Sequence, residues 1–304
     1  MEGFLSIKET VEKYIDTCQA KTSMPSGKLL GKSILAGVLI GLGAAASSVA
    51  AHAIGDVGVA RLVAAVVFPV GLMMVIMLGA ELFTGDCLLA MSVLDGKQKL
   101  TDFIRILVSV YIGNFIGATI LAIMIAMSGQ LNYSGGLLGA YTIKIAISKA
   151  NISFSQGIVS GILCNVLVCA AVLMALSAKD IAGKLLAIFF TIMLFVTAGF
   201  EHCVANMYYI TAGLVAKMNP EYVQVAMDSY GFTTEQLESL NVTNYLLTNL
   251  VPVTIGNIIG GAVLFGAAMF YLNTNKEKAV KKDEKKEGVK NDVIYTAVCA
   301  DSSR

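Results

Sequence analysis

The feature that excludes most folds for this chain is the length of its uncharged stretches. Residues 33–55, 62–80, 106–143, 150–178, 185–200 and 239–275 contain no Asp, Glu, Lys or Arg. A helix needs about 20 apolar residues to cross the hydrocarbon core of a bilayer, and several of these stretches are longer. Charged residues make up 14% of the chain, against about 25% in soluble domains, and they gather at the ends and in a few turns. Ten-residue segments of alternating polarity, the mark of a transmembrane barrel, are missing. The chain reads as an all-α, polytopic integral membrane protein.

Six spans are expected, at about 29–54, 59–94, 103–127, 154–176, 184–215 and 244–272. Residues 28–272 hold them all as one transmembrane channel domain. Ahead of it, residues 1–27 carry Phe4, Leu5, Ile7, Val11, Tyr14, Ile15 and Cys18 at helical spacing. That amphipathic helix is too polar to span, and it suits the membrane surface or a neighbouring subunit. Residues 273–304 are rich in Lys and Glu and read as a disordered basic tail. With six spans, the N-terminal segment, the Lys97/Lys99/Arg105 turn, the Lys179/Lys184 turn and the tail share one side. The positive-inside rule makes that side the cytoplasm, so both termini of a multi-pass plasma (cell inner) membrane protein lie inside. No secretory signal peptide is read at the N-terminus. Cys18, Cys87, Cys164, Cys169, Cys203 and Cys299 show no paired spacing and read as buried small hydrophobes. A net charge of +1 gives no reason to expect nucleic acid; the lipid bilayer is the expected surrounding.

The chain repeats itself. Gly37-Val38-Leu39-Ile40-Gly41 matches Gly157-Ile158-Val159-Ser160-Gly161, and Gly79-Ala80-Glu81 matches Gly199-Phe200-Glu201, each 120 positions on. Ile112-Gly113-Asn114-Phe115-Ile116-Gly117 matches Ile255-Gly256-Asn257-Ile258-Ile259-Gly260, 143 positions on. Each half, about 28–129 and 148–272, holds three spans, so the second enters the membrane from the opposite face. The fold expected is a six-helix bundle from an inverted three-helix repeat, with helices 2 and 5 broken at Glu81–Asp86 and at Glu201-His202.

Broken helices of an inverted repeat meet near the midplane and turn their N-termini on an anion, and irregular backbone at that depth lines a cavity or is buried in protein. The two breaks would bring Leu82, Phe83 and Thr84 close to His202, the one histidine within a break. An imidazole there can donate a hydrogen bond or a proton to a small anion, while His52, at the end of the first span, reads as a satisfied core residue. Thr84 offers a hydroxyl and can also cap its half-helix. Glu81 and Glu201 would repel an anion, so they read as structural, accepting from break amides. Asn165 either orients the imidazole or makes an interhelical bond. Lys149 either draws anions in or snorkels to water. Phe68, Leu72, Leu82, Phe83 and Phe195 are candidate apolar constrictions. A catalytic pair of His202 and Cys203, the competing reading as an intramembrane enzyme, lacks a third orienting group. Cys87, His202 and Cys203 lack metal-ligand spacing. No catalytic residue, metal or cofactor is expected.

Gly79-Ala80-Glu81-Leu82-Phe83-Thr84-Gly85 and Gly199-Phe200-Glu201-His202-Cys203-Val204-Ala205-Asn206-Met207 resemble the two signature segments of the formate/nitrite transporter family, and within it the chain looks most like the hydrosulfide-channel branch. The resemblance implies a homopentamer of aquaporin-like protomers, each with its own pore. It implies that Thr84 faces His202 with Asn165 nearby, and that Lys149 makes an electropositive outer vestibule. Phe68 and Phe195 would form the outer constriction and Leu72, Leu82 and Phe83 the inner one. Gly79, Gly199 and Asn206 join Glu81 and Glu201 as structural parts of the breaks. The function implied is passage of small monovalent weak-acid anions such as hydrosulfide, formate and nitrite, by a channel or by proton-coupled transport of such anions and short carboxylates.

Overall fold

The computed structural model of the chain describes residues 3–274 and is helical throughout its main elements. In chain order these are α1 (Ile7–Thr22), α2 (Ser26–Ala51), α3 (Val57–Leu78), α4 (Phe83–Leu94), α5 (Leu100–Met127) and α6 (Leu137–Ala150). They continue as α7 (Phe154–Ser177), α8 (Ile181–Ala198), α9 (Cys203–Ala216), α10 (Pro220–Tyr230), α11 (Thr234–Ser239) and α12 (Asn244–Asn273). Among the described residues, α2, α3, α5, α7, α8 and α12 are long and apolar enough to cross a bilayer, while α4 and α9 are the shorter second halves of the two broken spans. The α3 and α8 faces expose Leu62, Val66, Leu186, Phe190 and Leu194, an apolar surface for lipid or a neighbouring copy to cover. The tail expected at 273–304 lies almost wholly outside the described residues, as does Cys299.

Two helix pairs form the scaffold, α2 against α5 and α7 against α12. Lipid gives helices no hydrophobic reason to associate, so close packing at small residues must do so. A Cβ at Gly37 would overlap the Asn114 carbonyl, and one at Gly161 would come within 2.7 Å of the Val253 carbonyl. The residues that revealed the repeat are therefore those at which its paired helices touch. Cys18, Cys87, Cys164, Cys169 and Cys203 are buried free thiols. His52 bonds the Val49 carbonyl at 2.7 Å and the Ser134 hydroxyl at 2.9 Å.

The apolar face of the N-terminal helix docks under the chain's own first break. Val11, Tyr14, Ile15 and Cys18 are buried there. The Tyr14 hydroxyl donates to the Gly85 carbonyl at 3.3 Å, the Gln98 amide to the Cys18 carbonyl at 2.7 Å, and Lys97 pairs with Asp16 at 2.9 Å. The stretch before Lys149, weakly amphipathic in sequence, is the 14-residue helix α6, whose buried face includes Thr142, Ile143 and Ala146.

Candidate functional site

The two breaks are built alike. α3 ends at Gly79 (φ 65°) and α8 at Gly199 (φ 74°), left-handed positions that favour glycine. An extended residue then leads each second half-helix: Leu82 (φ −114°, ψ 124°) before α4 and His202 (φ −112°, ψ 114°) before α9. The backbone freed by each break is paired by one asparagine. Asn114 accepts from the Phe83 N–H at 2.9 Å and donates to the carbonyls of Ser33 and Glu81 at 2.8 and 3.0 Å. Asn257 accepts from the Cys203 N–H at 2.9 Å and donates to the carbonyls of Gly161 and Glu201 at 2.8 and 3.0 Å. Both side chains are fully buried. Sequence reasoning used these asparagines to find the repeat but gave them no role; two identical Gly-Asn positions facing two identical breaks were the available signal.

His202 is buried, and its ring is held at both nitrogens. Nδ1 accepts from the Ala205 N–H at 3.1 Å, capping α9, and Nε2 lies 2.9 Å from Thr84 Oγ1. A nitrogen that accepts carries no proton, so the neutral ring has its proton on Nε2 and donates it to Thr84. The Thr84 hydroxyl proton is then left for another acceptor. Asn165 does not orient the imidazole. Its amide donates to the Asn257 carbonyl at 2.6 Å and its Oδ1 accepts from the Cys169 thiol at 3.7 Å, because it sits on α7 facing α12.

Glu81 and Glu201 are buried, and no break amide reaches either carboxylate among the described residues. A buried carboxylate needs a cation at hand, and each has one. Glu201 accepts from Lys149 at 3.0 and 3.1 Å, from Asn206 at 2.6 Å and from Asn249 at 3.4 Å. Glu81 pairs with Lys21 at 2.6 Å and more distantly with Lys32 at 3.8 Å, and Lys21 also reaches Asp86 at 2.5 Å. Burial works against the Lys21 ammonium, but Asp86 and Glu81 outweigh it and hold its pKa above the ordinary lysine value. Lys149 thus neither snorkels nor stands free; its charge is met locally.

A cavity of about 400 Å³ is lined at its exposed side by Gly55, Val57 and Arg61 and at its buried side by Phe68, Phe195, Glu201 and His202. Beyond it lies a space of about 10 Å³, lined by Ile40, Phe68, Leu72, Leu82, Val168, Ile192, Phe195 and His202. That is room for about one water. Phe68 and Phe195 meet edge to face at 5.7 Å and, with His202, belong to both spaces. Phe83 does not line either. Its ring packs edge to face on Tyr111 at 4.9 Å, because Phe83 opens α4 on the side facing α5. Thr84 also lines neither, and stands behind the imidazole.

A broken-helix pair with a histidine at its meeting point and an apolar slit beside it can be compared with known proteins. The family model described as "Formate/nitrite transporter" matches residues 8–271. The chain belongs to the formate/nitrite transporter family. It is 37% identical to the "Formate channel FocA" of Haemophilus influenzae over 71% of this chain and 75% of that one. It is 33% identical to the "Probable formate transporter" of Methanothermobacter thermautotrophicus over 90% of this chain and 99% of that one. Among solved structures it is similar to a "Pentameric formate channel with formate bound", with a TM-score of 0.72 and 32% identity over 81% of this chain and 97% of that one. An "FNT family ion channel" aligns with a TM-score of 0.73 and 25% identity over 88% of this chain and 99% of that one. The all-helical six-span fold is the fold of this transporter family. The chain is a multi-pass membrane protein of a transport family and not an enzyme, which sets aside the reading of His202 and Cys203 as a catalytic pair.

Proposed function

We propose that each protomer of a homopentamer passes small monovalent weak-acid anions, formate, nitrite or hydrosulfide, through its own pore in the plasma membrane, with both termini cytoplasmic. The wide cavity is then the outer vestibule, Phe68 and Phe195 the outer constriction, and Leu72 and Leu82 the inner one. The observation that carries this reading is the position of His202, which caps α9 through Nδ1, bonds Thr84 through Nε2 and borders both cavities.

The Nε2–H···Oγ1 bond keeps two donors closed on one another. Thr84 lines neither cavity while the pair is closed; an anion that parts the pair exchanges that bond for two, one from Nε2–H and one from the Thr84 hydroxyl, in surroundings that exclude water and so strengthen both. Proton donation by His202 would instead need an imidazolium, whose Nδ1–H would face the Ala205 N–H donor to donor. The capping geometry therefore supports hydrogen bonding of the anion ahead of proton transfer to it. Uptake of formate, nitrite and hydrosulfide into proteoliposomes across a pH series, with an internal pH dye, tests this. Anion current without stoichiometric proton entry is expected; one proton carried per anion would favour the coupled reading.

A further inference from the structure

Three cations, Arg61, Lys144 and Lys149, line the wide cavity, with Glu201 as its one lining carboxylate. Lys149 and Glu201 answer one another at 3.0 Å, so the net charge rests on Arg61 and Lys144. Neither has an acidic partner among the described residues. Lys144 lies over the face of Tyr230, 4.3 Å from the ring centroid. Arg61 is held differently. Its guanidinium covers Gly199, where a Cβ would stand 2.5 Å from Nη1 and 3.3 Å from Cζ. Its N–H groups meet no acceptor among the described residues. At the other break, the cation beside the matching glycine is Lys32, 3.9 Å from the Cβ position of Gly79, and it has Glu81 at 3.8 Å. Each break glycine thus has a cation beside it, brought there from positions the repeat does not relate, and of the two only Lys32 has an acidic partner among the described residues.

We propose that Arg61, seated over Gly199, is a capture site for two-oxygen monovalent anions, carboxylates and nitrite, at the mouth of the pathway. The proposal rests on the anion-transport reading above and names the substrate class its entrance favours. A guanidinium presents parallel N–H pairs that match two oxygens on one centre, whereas an ammonium is a point charge. Formate and nitrite meet that fork with both oxygens; hydrosulfide has one acceptor atom. Arg61 is exposed, and an exposed pair is weak, which suits loading a pathway rather than trapping its cargo. A side chain at position 199 would push the guanidinium off this seat.

The test uses the full-length protein in proteoliposomes, with initial uptake of formate and of hydrosulfide measured over a concentration range for wild type, Arg61→Lys and Arg61→Gln. Arg61→Lys keeps the charge and removes the fork. It should raise the half-saturating formate concentration about threefold, leave maximal formate uptake unchanged, and leave hydrosulfide uptake unaltered; Arg61→Gln should raise it further. Equal behaviour of Arg61→Lys and wild type, or an equal shift for both anions, overturns the proposal. A readout free of transport is phenylglyoxal labelling of Arg61 in the solubilised protein, read by peptide mass spectrometry. Formate and nitrite should slow labelling where equal chloride does not; no protection, or equal protection by chloride, overturns the proposal. Protection without any uptake by wild type would leave the capture site standing and remove the transport reading.

Discussion

At the scale of single residues, the two positions that matter most differ in how far the sequence exposed them. His202 stood out because Glu201 has a twin in Glu81 whereas His202 has Leu82 at the matching place. Its tautomer could not be read, since it depends on the Ala205 N–H and the Thr84 hydroxyl, contacts fixed only when the breaks meet. With His52 replaced by Gln, His202 is the sole imidazole, and ¹⁵N NMR at pH 7 should show Nε2 protonated and Nδ1 bare; the reverse assignment would contradict the capping geometry. Asn114 and Asn257 were visible as repeats but silent as to role, because a polar residue in an apolar helix says nothing of which backbone it serves. Asn114→Ala or Asn257→Ala leaves a buried N–H and two carbonyls unpaired, at about 1–3 kcal/mol, enough to lower the Tm in detergent by several degrees. An unchanged Tm for both would show that water or relaxation supplies the missing partners.

Elements were the most legible scale. Long uncharged stretches located the spans, and the charges interrupting two of them located the breaks, because a bilayer penalises charge regardless of context. The docking of α1 was not legible. An amphipathic face states that something covers it, not what, and the Lys21 contacts with Glu81 and Asp86 join residues far apart in the chain. Burial in that seam pushes the Cys18 thiol up to about 12, so maleimide should modify it slowly in wild type at pH 7.5. Lys21→Ala leaves Asp86 without its cation and Glu81 with only the more distant Lys32, a loss expected to exceed tenfold in the docking equilibrium, and Cys18 modification should accelerate accordingly. No acceleration would mean that the apolar face alone holds α1. The Lys21 pKa is raised, so its charged contribution is complete below the ordinary lysine value and is lost only as pH climbs through the raised one. Docking should therefore not change between pH 7 and 9 on account of Lys21.

Across the whole molecule, inversion of the repeat gives both ends the same break but not the same charge. Lys21 and Lys32 face Glu81 and Asp86 at one end, while Arg61, Lys144 and Lys149 face Glu201 alone at the other. Lys149 was the cation that sequence reasoning singled out, and its pairing across 52 positions with Glu201 is a tertiary fact that no local pattern carries. The exposed apolar faces of α3 and α8 leave room for neighbouring copies. Native mass spectrometry of the protein in mild detergent should show five chains per particle, and a monomer under every condition would remove the pentamer. The most direct test of the account is formate uptake into proteoliposomes by wild type, His202→Gln and His202→Ala. If His202 acts by donating a hydrogen bond, the Gln variant, which keeps an N–H donor but cannot titrate, should retain a measurable share of uptake with the wild-type pH profile, and the Ala variant should lose uptake. An Ala variant with wild-type uptake and pH dependence would contradict it.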